Sequence, residues 1–326
     1  MEFCYSKIID PCSYQTYGLV EDIPLRQHND PDNKEIKGAL RAQNDWGQLV
    51  NPIRGYKGGL GDRFSFIRVT VPECLPERIE IVSYANEFAF LYDDAMEQID
   101  LQRRLEAAGT DPFLETFGSR DLLDLTPEPT ARPEKRLQAR ILAEMKEVDP
   151  VRAVTTMKAW GRFVQLASET RARPFDTMEE YVPSRVIDAG ELIWFGTLTF
   201  GMALTIPEQD IPACMELARS GYAALGLTND LYSWDKEREA ARSLGQSYVF
   251  NAIWVIMKEH GVGEEEAKRM CSGEIQKYVR QYRQDVREAG AHMRLAKDTK
   301  TYLEAVMYSI SGNLVWSIDC PRYRNI

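Results

Sequence analysis

The sequence lacks the features that mark membrane and exported proteins. It contains no run of eighteen apolar residues, the minimum expected of a helix that crosses a bilayer. Its start, "MEFCYSKIIDPCSYQ", has neither the basic region nor the small-residue cleavage site of a signal peptide. We therefore predict no membrane span and an intracellular, cytoplasmic location.

Cysteine and histidine are scarce, and their spacing is irregular. The chain has six cysteines and three histidines, with no CxxC pair. Zinc sites and disulfide frameworks need clustered or regularly spaced residues, so neither is predicted. We expect six free thiols, at Cys4, Cys12, Cys74, Cys214, Cys271 and Cys320.

An excess of basic charge is also missing. The 40 lysines and arginines are outnumbered by 50 aspartates and glutamates, which gives a net charge of −10. No basic stripe alternates with aromatic residues, so a nucleic-acid partner is not expected. An acidic protein that handled a polyanion would need a metal ion between the two.

What the sequence does contain is a series of helix-length amphipathic segments. With 44% hydrophobic and 28% charged residues, the chain has the composition of a packed globular protein. Strand-like alternation is sparse, while prolines and glycines break residues 1–70 into short elements and make 108–134 a loop. Together these features predict one all-α bundle of about ten helices. The helical segments are 71–100, 133–148, 149–169, 178–202, 211–241, 247–261, 263–290 and 298–318.

The first of these helices carries a run of apolar residues that ends in acid, "EFAFLYDDAMEQID" at 87–100. On a helix Asp93 and Glu97 lie about 40° apart, with Asp94 about a third of a turn from Asp93. The three carboxylates therefore share one face. Taken alone, this pattern is more typical of a solvated helix end than of a binding site.

A second stretch, "GLTNDLYSWDKERE", favours the binding site. Asn229, Ser233 and Glu237 recur at i, i+4 and i+8, which aligns an amide oxygen, a hydroxyl and a carboxylate along one stripe. Such hard oxygen ligands, together with substrate phosphates, suit Mg²⁺. Lys236 lies within about 20° of this stripe and can place a positive charge beside a phosphate. Asn and Ser on a helix can also simply bond to backbone, which is the structural alternative.

These two motifs resemble those of the class I terpene synthases, namely DDxx(D/E) and NDxxSxxxE. Two further matches extend the resemblance. Arg185 in "PSRVIDAGE" matches the pyrophosphate-sensing arginine of the family, with Asp188 as the linker acid and Ala189 as the backbone effector. Arg322 and Tyr323 in "CPRY" match the Arg-Tyr pair that binds the pyrophosphate.

The similarity covers nearly the whole chain and is greatest to the N-terminal cyclase domains of fungal bifunctional terpene synthases. It rests on "RFSFI", "VPECLPER", "SYANEFAFLYDD", "TTMKAW", "NAIWVIMKEHG" and "YSISGNLVWSIDCPRY". It implies that residues 1–326 form a single class I terpenoid synthase bundle around a central cavity. In that family a prenyltransferase domain follows on the same chain, and this sequence stops before one.

The resemblance also implies a reaction. Three Mg²⁺ ions, bound by Asp93, Asp94, Glu97 and the Asn229 stripe, would assist loss of diphosphate from a prenyl diphosphate. Arg185, Lys236, Arg322 and Tyr323 would bind that diphosphate. The resulting cation needs an apolar pocket with aromatic faces. Any single candidate is more often ordinary core, and placement beside the metal and diphosphate motifs favours Phe88 and Trp194. The candidates are Phe64, Phe66, Phe88, Trp194 and Trp316.

The expected activity is that of a diterpene cyclase acting on the C20 substrate geranylgeranyl diphosphate, because a diterpene-forming member of the family is especially similar. A sesterterpene cyclase that uses C25 geranylfarnesyl diphosphate, or a longer chain, is the first alternative. A trans-prenyltransferase would be expected to carry a second DDxxD motif, and the last alternative is a non-catalytic helical binding module. The resemblance leaves two protein partners open for this chain: a prenyltransferase domain on a longer chain, and a second copy in a homodimer.

Overall fold

The helical segments of the sequence form helices that pack around one large apolar core. The computed structural model describes residues 2–20, 22–52, 55–97, 133–170 and 174–324. Its helices are α1 (Lys34–Leu49), α2 (Phe66–Thr70), α3 (Ile79–Glu97), α4 (Pro133–Val148), α5 (Pro150–Thr170), α6 (Met178–Asp188), α7 (Glu191–Gly201), α8 (Ile211–Ser243), α9 (Ala252–His260), α10 (Glu264–His292), α11 (Lys297–Asp319) and α12 (Pro321–Arg324). The predicted all-α bundle is confirmed.

The N-terminal region is more regular than predicted. Strands β1 (Ser6–Ile8) and β2 (Arg26–His28) pair antiparallel, and the 16-residue helix α1 follows them. The prediction of only short elements before residue 70 was therefore wrong. The buried residues Ala39, Ala42 and Trp46 recur every three or four positions, which is the helical period that the surrounding glycines and prolines obscured.

The helix predicted over 178–202 is in fact two helices. Gly190 adopts φ +85°, a left-handed conformation that costs glycine little and interrupts the helix between α6 and α7. The break reorients the chain immediately after Arg185 and Asp188. In contrast, α5 begins as predicted: Asp149 caps it by accepting from the backbone N–H of Arg152 at 3.1 Å.

Helices α3, α8 and α11 bring the sequence motifs to one end of the bundle. The long helix α8 packs against α10 and α11, while α1 packs along α3. Helix α12 follows α11 directly and contacts α8. The aspartate-rich end of α3, the middle of α8 and the C-terminal α12 therefore meet.

Two further expectations can be checked in the described residues. All six cysteines are free thiols, as predicted. None of the described helices is both long and apolar enough to cross a membrane. The predicted loop at 108–134 falls almost entirely on residues 98–132, which lie outside the described residues.

Candidate active site

The two aspartates at the end of α3 have different environments. Asp94 is buried and ion-paired: Lys236 Nζ lies 2.8 Å from its Oδ1, and two nitrogens of Arg322 lie 2.6 and 2.8 Å from its carboxylate. The side chain of Asp93 is 48% exposed, and its one ion pair within the described part of the chain is a longer contact, at 3.3 Å, with Arg322. The carboxylate of Asp93 is therefore the more available one. The side chain of Glu97 lies outside the described part of the structure.

The predicted stripe on α8 forms as expected from its spacing. Ser233 Oγ donates to Glu237 Oε1 at 2.8 Å, so the hydroxyl and the carboxylate converge. One turn earlier, Asn229 Oδ1 accepts from Arg185 at 2.6 Å, and its Nδ2 donates to the Tyr323 hydroxyl at 2.6 Å. The stripe is thus hydrogen-bonded to two of the predicted diphosphate-binding residues.

Arg185 is buried at the C-terminal end of α6, between two carboxylates. Its Nη1 lies 2.7 Å from Asp188, and its Nε lies 2.8 Å from Asp230. Burial alone would lower the pKa of the guanidinium, but the negative charges of Asp230 and Asp188 and the nearby Tyr181 raise it well above its ordinary value. Arg185 is thus a fixed positive charge. Ala189 ends the helix, and its backbone N–H donates to the Arg185 carbonyl at 2.7 Å.

Helix α12 connects the two motifs. Arg322 binds the Asp94 carboxylate through two nitrogens, donates to the Lys57 carbonyl at 3.3 Å and lies 4.9 Å from the centre of the Phe90 ring. The adjacent Tyr323 contacts Asn229 of the α8 stripe. Burial would lower the pKa of Arg322, but the charges of Asp94 and its neighbours raise it. One short helix therefore holds the α3 and α8 sides of the site together.

The predicted aromatic residues divide into two groups. Phe88 lines a small cavity of about 30 Å³, which is bounded by Ala85, Asn86, Phe88, Ala89, Gln138, Ile141, Trp160, Ile193 and Thr197. The other four lie elsewhere: Phe66 contacts Trp194 at 5.6 Å and Trp316 at 4.7 Å between ring centres, and Phe64 packs in the same buried cluster as Trp316. Of the five candidates, only Phe88 borders this cavity among the described residues.

A larger pocket elsewhere in the described residues does not coincide with the motifs. It has a volume of about 500 Å³ and lies between α6, α9 and α10, where it is bordered by Met178, Ile256 and Tyr278. It shares no residue with the acidic or basic groups described above. We locate the candidate active site by its converging charged and polar groups rather than by volume.

The oxygen groups at this site fit a divalent cation of the magnesium type. Within the described residues, no group of three or more His, Cys, Asp or Glu side chains forms a metal site. The α8 stripe is instead a mixed set of amide, hydroxyl and carboxylate oxygens, all of them hard ligands. Burial, together with the nearby charge of Asp230, raises the pKa of the Glu237 carboxyl. Glu237 has no ion-pair partner in the described residues, so a bound cation would compensate its charge.

Three residues of the site were not predicted from the sequence, namely Asp230, Tyr181 and Asn251. Asp230 follows Asn229 directly; it accepts from the Tyr181 hydroxyl at 2.7 Å and pairs with Arg185. Asn251 donates to Glu237 Oε2 at 2.9 Å. Of the three, only Asp230 was recognisable from the sequence, because it is next to Asn229. Tyr181 and Asn251 lie outside the α8 stripe, on or beside other helices.

Comparisons with known proteins agree with this geometry. The profile of the family described as "Terpene synthase family 2, C-terminal metal binding" matches residues 84–281. Bifunctional type I diterpene synthase tndC of Aspergillus flavipes is 44% identical in an alignment of 332 positions, which covers 99% of this chain and 42% of that protein. Fusicoccadiene synthase of Phomopsis amygdali is 42% identical and is matched over 99% of this chain and 45% of its own length.

Other similarities bear on substrate and fold. A bifunctional sesterterpene synthase of Aspergillus aculeatus is 41% identical, again over 99% of this chain and 45% of that protein. The chain therefore spans less than half the length of these relatives. The crystal structure of aristolochene synthase from Penicillium roqueforti superimposes with a TM-score of 0.65 over 88% of this chain and 95% of that one, at 19% identity. That structural likeness establishes the fold alone.

Proposed function

Because this chain belongs to terpene synthase family 2 and has the class I terpene synthase fold, we propose that it is a magnesium-dependent diterpene cyclase. The substrate would be geranylgeranyl diphosphate, and the product a polycyclic diterpene hydrocarbon or alcohol. The observation that carries the proposal is the network in which α12 joins Asp94 to the Asn229 stripe. It gathers oxygen ligands and fixed positive charges at one end of an apolar bundle.

The positive groups would bind the diphosphate. Ionisation of a prenyl diphosphate releases a leaving group of about three negative charges, and preorganised cations stabilise it most in a site that excludes water. Arg185 and Arg322 are both buried, and Lys236 and Tyr323 lie beside them. Arg322 and Lys236 are paired with Asp94 in the structure, so we expect the diphosphate to compete with Asp94 for both.

The oxygen groups would hold three Mg²⁺ ions. Asp93, Asp94 and Glu97 supply one side of the site, and Asn229, Ser233 and Glu237 the other. The exposed carboxylate of Asp93 is the more accessible of the two described on α3. When bound, the ions would supply Lewis-acid stabilisation of the departing diphosphate oxygens.

After ionisation, the carbocation must fold against apolar and aromatic walls. Phe88 borders the cavity, whereas Phe64, Phe66, Trp194 and Trp316 pack in the core and stay proposed wall residues on the family resemblance alone. Aromatic faces stabilise positive charge, and an apolar wall excludes water from the cation. We propose that the released diphosphate, held by Arg185 and Arg322, accepts the final proton.

The chain length of the substrate is part of the proposal. Among the relatives, the names cover both diterpene and sesterterpene synthases, and this supports C20 or C25. Incubation with C15, C20, C25 and C30 diphosphates, followed by mass spectrometry of extracted products, tests it. The proposal predicts cyclic products from C20; turnover of C25 alone would replace it with a sesterterpene cyclase.

A matched pair of variants tests the ligand assignment. Asp93→Ala and Asn229→Ala should abolish turnover while the helical content, measured by circular dichroism, stays unchanged. Appreciable activity in either variant would show that the ligands are misassigned. A folded wild-type protein that releases no diphosphate from any prenyl diphosphate would instead favour a non-catalytic binding module.

The wider organisation is proposed on the same basis. We infer that residues 1–326 act as one cyclase domain in the cytoplasm. Two of the relatives, tndC and the Aspergillus aculeatus protein, are named as bifunctional, which supports a prenyltransferase domain as the partner that supplies substrate. We also propose that the protein forms a homodimer, which size-exclusion chromatography with light scattering tests.

A further inference from the structure

A buried amide faces the cavity beside Phe88 without a hydrogen-bond partner. Gln138 lies on α4 and is only 2% exposed. Neither its Oε1 nor its Nε2 has a partner among the described residues, although both atoms are fully buried. The side chain lines the cavity together with Phe88, Trp160 and Thr197.

Two other hydrogen-bonding side chains at this cavity already have partners. The Trp160 indole N–H donates to the Ile193 carbonyl at 3.0 Å, and the Thr197 hydroxyl donates to the same carbonyl at 2.9 Å. Both are satisfied by their own surroundings. Leaving an amide unpaired in an apolar environment is unfavourable, and a leucine would fill the position without that penalty. A buried polar group that weakens the fold in this way points to a ligand as its missing partner.

The cavity limits what that partner is. A volume of about 30 Å³ accommodates one water molecule in the unliganded protein. A space of this size also fits one methyl-sized part of the hydrocarbon, which would carry positive charge nearby during the proposed reaction. The negative end of an amide dipole is its carbonyl oxygen, and such a fixed dipole stabilises a cation strongly in a site without water.

We propose that Gln138 is a product-determining residue, whose amide oxygen stabilises a carbocation at the cavity wall beside Phe88. The inference rests on the proposed cyclase function and adds a polar contact to a wall otherwise built mainly of apolar and aromatic groups. It does not involve the diphosphate or the metal ions. Loss of the amide should therefore change which products form, without preventing ionisation.

The test compares Gln138→Leu with Thr199→Val. Gln138→Leu keeps the approximate volume but removes the dipole, while Thr199→Val removes a buried hydroxyl that already donates to the Phe195 carbonyl at 2.7 Å and does not border the cavity. Diphosphate release, the product distribution by gas chromatography and mass spectrometry, and the Tm are measured for each. Gln138→Met provides a second apolar replacement if the leucine variant folds poorly.

We expect Gln138→Leu to release diphosphate at close to the wild-type rate. The ratio of the main product to early-terminated products should fall about tenfold, which corresponds to about 1.4 kcal/mol of differential stabilisation. Its Tm should rise by about 2 °C or more, since an unpaired buried amide is removed. Thr199→Val should keep the wild-type product ratio.

Three results would overturn the inference. The first is an unchanged product ratio in both Gln138 variants, and the second is a lower Tm in both, which would indicate an ordinary structural role. The third is conversion of a hydroxylated product, labelled from ¹⁸O water, into hydrocarbon, because Gln138 would then hold a nucleophilic water. If the wild-type protein releases no diphosphate, the proposed function fails instead, and the two failures are distinguishable.

Discussion

Asn251 allows a direct test of how the carboxylate of Glu237 is held. The Asn251 side chain is buried at the start of α9, where its Oδ1 caps the helix by accepting from the Ile253 N–H at 2.8 Å. Its Nδ2 donates to Glu237 Oε2 and to the Asp230 carbonyl, both at 2.9 Å. These bonds leave Glu237 Oε1 directed toward Ser233, as a shared ligand would require.

Replacing Asn251 by alanine would remove all of these contacts. Loss of the cap costs about 1 kcal/mol, and the Glu237 oxygen left without its donor adds about 1 to 3 kcal/mol more, so unfolding should become easier by about 3 kcal/mol. Loss of a partner that orients a metal ligand typically lowers metal affinity about 10-fold to 100-fold. Asn251→Ser separates the two effects, because serine also caps a helix but lacks the amide donor.

The assay combines urea denaturation with Mg²⁺ titration. Mg²⁺ affinity is followed both by diphosphate release and by the rise in Tm that Mg²⁺ with inorganic diphosphate produces. Thr177→Ala is the matched control, since Thr177 caps α6 by accepting from the Glu180 N–H at 3.3 Å without contacting Glu237. The control should lose stability only. If Asn251→Ser and Asn251→Ala keep the wild-type Mg²⁺ dependence, Asn251 does not orient Glu237 for a metal ion.

Three other substitutions have expected outcomes. Burial raises the pKa of Glu35 from an ordinary 4.5 to about 8, so between these pH values the folded state holds a proton that the unfolded state has lost. The free energy of unfolding should therefore fall as pH rises from 4.5 to 8, by up to about 1.4 kcal/mol per pH unit. Glu35→Gln should flatten this dependence on pH, as measured by urea denaturation. Gly58→Ala should lower the free energy of unfolding by about 1 to 3 kcal/mol, because the new Cβ would lie 1.7 Å from the buried carboxylate of Glu87; an unchanged urea midpoint would contradict this. Asp94→Asn should lower the free energy of unfolding by about 3 kcal/mol, because the buried Arg322 would keep only its longer contact with the carboxylate of Asp93; a shift of less than 1 kcal/mol would refute this.

Helix periodicity predicted most of the fold, and its failures have local causes. The segments that became α4, α5, α8, α10 and α11 have long amphipathic patterns, and the structure confirms them within a few residues. Helix α1 was missed because nearby prolines and glycines outweighed the regular spacing of Ala39, Ala42 and Trp46. The break at Gly190 was missed because a single glycine is compatible with either a continuous helix or its end.

The candidate site was predictable only where its residues share a helix. The stripe of Asn229, Ser233 and Glu237 follows from helical spacing, and the structure has it. The pairing of Asp94 with Arg322 joins residues 228 positions apart, so spacing alone contains no signal for it. Arg322 was predicted as a site residue only from the family resemblance. Gln138 belongs to no motif and is recognisable only from the cavity that it faces.

The proposed function requires this site to ionise a prenyl diphosphate with the help of magnesium. The most direct test is diphosphate release from geranylgeranyl diphosphate by the purified wild-type protein, with Mg²⁺ and then with excess chelator. We expect release that requires Mg²⁺, accompanied by a cyclic C20 product. A folded protein that releases no diphosphate from C15, C20, C25 or C30 substrates in the presence of Mg²⁺ would contradict it.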